Sequence, residues 1–324
     1  MKLKITPPFS WLLGLTLFSS ATVWGSGTMS SGGSSIAPSE TTQTESKKSA
    51  PIQSGASRAE PGLGSQSFDH SHSLWYKVLK EFVTIKGPES SVDYAGLRKN
   101  PHDLNAYILS LEKVSEKQFD SFGKEDQLAF LINAYNAATL KVIVNHYPVA
   151  SIKKIGGAFS TGFKEKVIRL GGVERTLDDI EHDLIGNSFS EPRVHFAIVC
   201  ASRSCPELLN EPYLGARLNQ QLDQQTVAYL RDTERNRFVL DEHKLYLSKI
   251  FKWYEADFKN VAGSVKGFVV PRLARNDQEK KAIMNENIQV EYIDYDWALN
   301  DKKGSSQANA NFASGKSAVK KSES

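Results

Sequence analysis

Both cysteines of the chain fall in one stretch, "HFAIVCASRSCP", which runs from His195 to Pro206 and places a histidine five positions before the first thiol. Three chemistries fit these residue types. Two thiols in an exported chain ordinarily oxidise to a disulfide. A Cys200–Cys205 bridge stabilises a six-residue loop by only about 2 kcal/mol in the chain-entropy account. It requires "ASRS" to fold back until the α-carbons lie within about 7 Å. A partly exposed thiol in electropositive surroundings is instead a nucleophile, and Arg203 with a neighbouring histidine supplies that setting. His195, Cys200 and Cys205, joined by His182, also make a four-ligand zinc set. Their spacing is loose, so neither a metal nor a cofactor is expected.

Polar residues on apolar helix faces supply the remaining candidates. In "FLINAYNAATL", Asn133 and Asn136 lie three apart and share a face with Ala129 and Leu140. Buried asparagines need partners. They either tie loop backbone to the helix or hold a substrate or oxyanion. In "TLDDIEHDLIG", Glu181 lies between Leu177 and Leu184 on the inner face, and His182 sits at its edge. A carboxylate there has a raised pKa or a fixed partner; Arg193 and Lys249 are the structural candidates. Together these residues describe a thiol-dependent hydrolase or acyltransferase. Cys200 attacks, His182 or His195 is the base, Glu181 orients it, and Asn133 or Asn136 steadies the oxyanion. Convergence of Glu181, His182, His195, Asn133 and Cys200 on one open cleft is the mark of the enzyme. Burial of all five is the mark of the alternative, a non-catalytic binding or scaffolding domain with a Cys200–Cys205 disulfide. Lys249, Trp253 and Asp257 share one helix face beside Ile250, Phe251, Tyr254 and Phe258. This aromatic stripe reads as core, with Lys249 as an ion-pair or cation–π partner.

The elements that must position these groups follow from hydrophobic periodicity. Leu74, Val78, Leu79, Phe82 and Val83 mark a first helix, and Pro101 opens a second region of helix. "KEDQLAFLINAYNAATLKVIVNHYP" is the longest helix, apolar nearly all round, hence central and buried. A hairpin turns at Gly171-Gly172. Thr176 and Asp179 form a capping-box-like pair at the start of a short helix that Gly186 closes. "RVHFAIVCAS", apolar on both faces, is expected as an interior strand. A regular strand puts His195 and Cys200 on opposite faces, roughly 16 Å apart. On a regular strand those two form no dyad: Cys205, beyond the turn "ASRS", is the thiol placed to double back towards His195, and Cys200 needs a different base, such as His182. Beyond lie an amphipathic helix in "YLGARLNQQLDQQTVAYLRD", a hairpin in "NRFVLDEHKLYLS", a helix in "KIFKWYEADFKN" and an extended "QVEYIDYDWALN". Without regular strand–helix alternation, the fold class is α+β: a helix-rich single domain around a small mixed or antiparallel sheet.

Composition divides the chain. Residues 1–25, with Lys2 and Lys4 before "FSWLLGLTLFSSATVW", read as a cleaved signal peptide, the alternative being an N-terminal membrane anchor. Residues 26–67 are Ser/Gly-rich and expected as a disordered linker; 68–301 form the globular domain; 302–324 are a Lys/Ser-rich disordered tail. The chain is therefore expected in the periplasm or outside the cell. The two ends carry +2 and +4 of a formal +3, which leaves the domain at −3. A mildly acidic domain is poor material for nucleic-acid binding, while the basic tail allows weak contact with anionic surfaces.

Five motifs, "QLAFLINAYNAATLKVIVNHYP", "TLDDIEHDLI", "PRVHFAIVCASRSCP", "YLSKIFKWYEADF" and "YIDYDWALN", resemble in order the domain-of-unknown-function family numbered 547 over roughly 75–300. The resemblance implies an exported bacterial member of a family without an assigned activity. In its plant members the second cysteine position often looks like serine, which implies Cys200 as the shared thiol. The chain is also distantly similar to transglutaminase and papain-like folds, which set a buried helix against a sheet whose strand carries a histidine. They place the nucleophile at that helix's N-terminus, where this chain has no cysteine in 126–147.

Overall fold

The computed structural model describes residues 67–302 apart from 158, 159 and 286. Except for Ser67 and Lys302, the expected signal peptide, linker and tail lie outside the described residues. Helix α1 (Ser73–Phe82) leads into a hairpin of β1 (Val83–Lys86) and β2 (Glu89–Val92). Helices α2 (Tyr94–Lys99), α3 (His102–Glu112) and α4 (Glu116–Asp120) precede α5 (Lys124–His146). A second hairpin, β3 (Ile168–Leu170) with β4 (Val173–Arg175), turns at Gly171-Gly172. Then come a π-helix (Asp179–Gly186), a 3-10 helix (Pro192–Phe196) and α6 (Leu218–Arg231). The third sheet takes β5 (Arg237–Val239), β6 (Lys244–Ser248) and, after α7 (Ile250–Trp253), α8 (Glu255–Ala262), α9 (Val265–Leu273) and α10 (Asp277–Met284), the strand β7 (Gln289–Ile293). In it β6 is central, antiparallel to β5 and parallel to β7, so this sheet is the mixed one. The α+β, helix-rich expectation stands.

Helix α5 is the axis of the larger hydrophobic cluster. It is long and apolar enough to cross a membrane, yet 94% of its most apolar window is buried inside the protein. Each fully buried Leu, Ile or Phe on it contributes about 1.5–3 kcal/mol, and α2, α3 and the π-helix pack against it. A second cluster gathers Phe196, Tyr229, Phe251, Phe258 and Phe268 with β6, α8 and α9.

The strand expected over 193–202 does not form. Residues 192–196 make a 3-10 helix, and 197–201 continue without strand pairing. The segment is apolar on all sides because it threads between the two clusters: Val194 and Ala197 belong to the first, Phe196 to the second. Its backbone is tied by side chains rather than by neighbouring strands. The inference that kept His195 and Cys200 on opposite faces therefore falls with the strand. Two further elements depart from expectation. The capping pair is present, Thr176 N–H donating to Asp179 Oδ2 at 2.8 Å and Asp179 N–H to Thr176 Oγ1 at 3.0 Å. The helix it opens, however, is a π-helix, with Asn187 N–H reaching the carbonyl of His182 at 3.1 Å. The helix expected over 249–260 is broken at Tyr254, whose φ of −110° and ψ of 28° end α7 and begin α8.

Candidate active site

Two asparagines of α5 set the frame. Asn136 Nδ2 donates to the Ala197 carbonyl at 2.9 Å, and its Oδ1 accepts from Val199 N–H at 2.9 Å. Asn133 does the same for Tyr213, at 2.7 and 3.0 Å. Each amide acts as a strand neighbour would, pairing one N–H and one C=O of an irregular segment. Both are buried and committed, so they fill the backbone-tying role; neither lines the cleft described next.

Asn136 presents Cys200 to an open cleft lined also by Glu181, His195, Tyr254, Tyr295 and Trp253. The turn after the thiol is tight. Ala201 has φ 57°, a left-handed conformation costly for a residue with a Cβ, and its carbonyl accepts from Asn300 N–H at 3.1 Å. This turn folds Ser202 and Cys205 back over Cys200. Cys200 Sγ lies 3.0 Å from Ser202 Oγ, 3.2 Å from Tyr295 Oη and 3.0 Å from Cys205 Sγ. Cys200 N–H donates to Cys205 Sγ at 2.8 Å. Burial pushes the Cys200 thiol up, but the hydrogen bonds from Cys205, Ser202 and Tyr295 outweigh it and bring it down to about 7. Burial, with the Cys200 hydrogen bond and charge, pushes Cys205 the other way, well above the ordinary thiol range. Cys200 is half-buried and Cys205 buried, and both are free thiols. The fold-back required by a disulfide is present, while a 3.0 Å separation is a contact and not the bond of about 2.05 Å.

His195 stacks on the Tyr254 ring, centroids 3.7 Å apart at 20°. Its Nε2 meets Asp257 Oδ2 at 2.8 Å, and its Nδ1 is buried without a hydrogen-bond partner among the described residues. The His195 hydrogen bond holds the Asp257 carboxyl below the usual range. Glu181 is clamped by two phenols: Tyr135 Oη donates to Oε2 at 3.0 Å, and Tyr254 Oη donates to Oε1. Neither sequence-level partner reaches it, because Arg193 pairs with Glu191 and Asp223, and Lys249 with Asp294. Burial and then the Glu181 charge push the Tyr254 phenol far up.

Of the five residues whose convergence marked an enzyme, Glu181, His195 and Cys200 share the cleft; Asn133 and the exposed His182 do not. Among the described residues no three His, Cys, Asp or Glu side chains cluster as metal ligands. Asp257 is the member sequence reasoning missed as a site residue. Its signal was a carboxylate one turn beyond Trp253 on a face otherwise assigned to core. Tyr295 was missed as well, 95 residues beyond the thiol it donates to.

An α+β domain that opens a thiol, a histidine and a clamped carboxylate onto one cleft is the class these features define. Residues 119–230 match the protein family described as "Protein of unknown function, DUF547". That span takes in α5, the π-helix, Cys200, Cys205 and nearly all of α6, and it bears out the resemblance for the first three motifs, while "YLSKIFKWYEADF" and "YIDYDWALN" lie beyond it. No curated protein and no solved structure matches the chain.

Proposed function

We propose that the domain is a thiol-dependent hydrolase or acyltransferase with Cys200 as nucleophile. What supports it is that one open cleft is lined both by the Cys200 thiol, whose hydrogen bonds bring its pKa down to about 7, and by a histidine whose ring a carboxylate fixes. Cys200 sulfur attacks the carbonyl carbon of an ester, thioester or amide. The S–C bond forms as the bond to the leaving group breaks, and the thiol proton passes through His195 to that group. Water or an amine then attacks the thioester carbon and restores the thiol. Asp257 accepts from Nε2–H, which leaves Nδ1 as the basic nitrogen. This assigns the orienting role to Asp257 in place of Glu181, and the base to His195 in place of His182.

The test is acylation by 4-nitrophenyl acetate at neutral pH. One acetyl group per chain on Cys200, absent in Cys200→Ala, is expected; turnover that survives Cys200→Ala refutes the nucleophile. A second reading draws on the 3.0 Å approach of the sulfurs. Export through the N-terminal leader would put the pair in an oxidising compartment, where a Cys200–Cys205 disulfide would mask the nucleophile or serve a purely binding domain. Intact mass of protein recovered from the periplasm, before and after reduction, separates the two forms.

A further inference from the structure

Glu181 is only 8% exposed, and both of its oxygens accept hydrogen bonds from phenols. Two donors aimed at two oxygens describe the anionic, acceptor-only form of a carboxylate. Yet among the described residues no lysine, arginine or histidine nitrogen lies within 4.0 Å of it. A buried anion held by neutral groups alone is incompletely compensated. Among the described residues the cleft it lines contains no lysine or arginine, and aromatic rings from Tyr254, Trp253, Tyr295 and Trp297 make up much of its wall. These rings already attract a cation at the edge of the cleft: the Lys153 ammonium lies 4.4 Å over the Trp297 ring. Carboxylate and aromatic faces both favour positive charge, and the same wall disfavours phosphorylated or carboxylate-bearing acyl groups.

We infer that the cleft recognises a substrate bearing a primary ammonium or guanidinium group within a few bonds of the reacting carbonyl, with Glu181 as the residue that receives the cation. The inference rests on the thiol-acyl reading for the position of the carbonyl, whereas the binding of the cation does not depend on turnover.

The experiment titrates full-length Cys200→Ala protein with Nα-acetyl-lysine amide and with Nα-acetyl-norleucine amide, a chain of similar length without the charge. Tryptophan fluorescence reports binding, since Trp253 and Trp297 line the cleft. The lysine probe is expected to bind about tenfold more tightly or better at low salt, and added salt or Glu181→Gln should shrink that preference. The ratio of two ligands on one protein is insensitive to partial unfolding, and the melting curve of the Gln variant checks its fold. Equal binding, tighter norleucine binding, no binding of either probe, or a lysine preference untouched by Glu181→Gln in a folded variant overturns the inference. The matching 4-nitrophenyl esters, run on the wild-type protein, separate it from the thiol reading. Cys200-dependent release without charge preference sinks the cation alone. Glu181-dependent lysine binding without any Cys200-dependent release sinks the thiol chemistry alone.

Discussion

The Cys200 thiol should ionise with a midpoint near 7, against 9.0 for an ordinary thiol, and alkylation by iodoacetamide across pH 5–10 reads that midpoint directly. At pH 7 such a thiol is about half thiolate, where an ordinary one is about 1% ionised, a gain of roughly fiftyfold in reactive species. A less basic thiolate is also a weaker nucleophile. With a Brønsted slope near 0.45, the drop costs roughly eightfold in intrinsic rate. At equal access, Cys200 should therefore react about sixfold faster than an ordinary thiol at pH 7 and about eightfold slower at pH 10. This crossing is specific to a depressed pKa, because restricted access lowers the rate at both ends alike. The drop corresponds to about 2.7 kcal/mol in favour of the thiolate, distributed over donors from Cys205, Ser202 and Tyr295 after the opposing effect of burial. Loss of one side-chain donor, in Ser202→Ala or Tyr295→Phe, should raise the midpoint to roughly 7.5–8. Peptide mapping confirms that the label sits on Cys200 and not on buried Cys205. A midpoint of about 8.5 or higher, or one that neither substitution moves, refutes the account of the thiol.

Asn136→Ala leaves the Ala197 carbonyl and the Val199 N–H buried without their partner. The expected loss is about 3 kcal/mol, read as a lower urea midpoint at unchanged slope; a loss below about 1 kcal/mol would show that the loop is held by other means. Asp257→Asn should cut Cys200-dependent acyl turnover by roughly a hundredfold or more while the alkylation midpoint stays near 7, since none of the donors to Cys200 belongs to His195. A parallel shift of both would show that Asp257 serves the fold instead of the base. His72 is 2% exposed, and burial pushes its pKa from 6.5 down to about 4. The unfolded chain thus binds a proton below 6.5 that the folded chain refuses, so the stability present above 6.5 falls as pH drops toward 4. The loss is about 3 kcal/mol. Urea titrations at both pH values should show that increment in wild type and not in His72→Gln; an equal acid loss in the two proteins refutes it.

Much of the fold is legible because local signals agree with packing. The capping residues at 176 and 179, the Gly-Gly turn at 171–172 and the all-round apolar face of α5 each specify one element, and each is present. The segment 192–201 misleads because continuous apolarity states only that both sides are covered. It does not state whether strands or the amide of Asn136 pair the backbone. The hairpin of β1 and β2 escapes notice because "VTIKGPESSV" lacks a buried face to alternate: of eight strand residues only Val83 and Val92 are buried. In the site, Glu181 stood out as a charge on an apolar stripe. Asp257 did not, because half of its side chain faces solvent, and a half-exposed carboxylate on a helix is unremarkable until the ring beside it is seen.

The strand and loop that end the domain give the site an order in time. Beyond β7, Ser204 N–H and Arg203 N–H donate to the carbonyls of Asp296 and Ala298, Ser202 bridges to Leu299, and Tyr295 reaches Cys200. The nucleophile is thus written into the chain nearly a hundred residues before the last donor that acidifies it. On a ribosome, or in a protein threaded through a membrane from its N-terminus, Cys200 emerges as an ordinary, sluggish thiol. It gains its full complement of donors only when the closing segment docks, so reactivity arrives with completion of the fold and a chain cut short before Tyr295 lacks one of the groups that confer it.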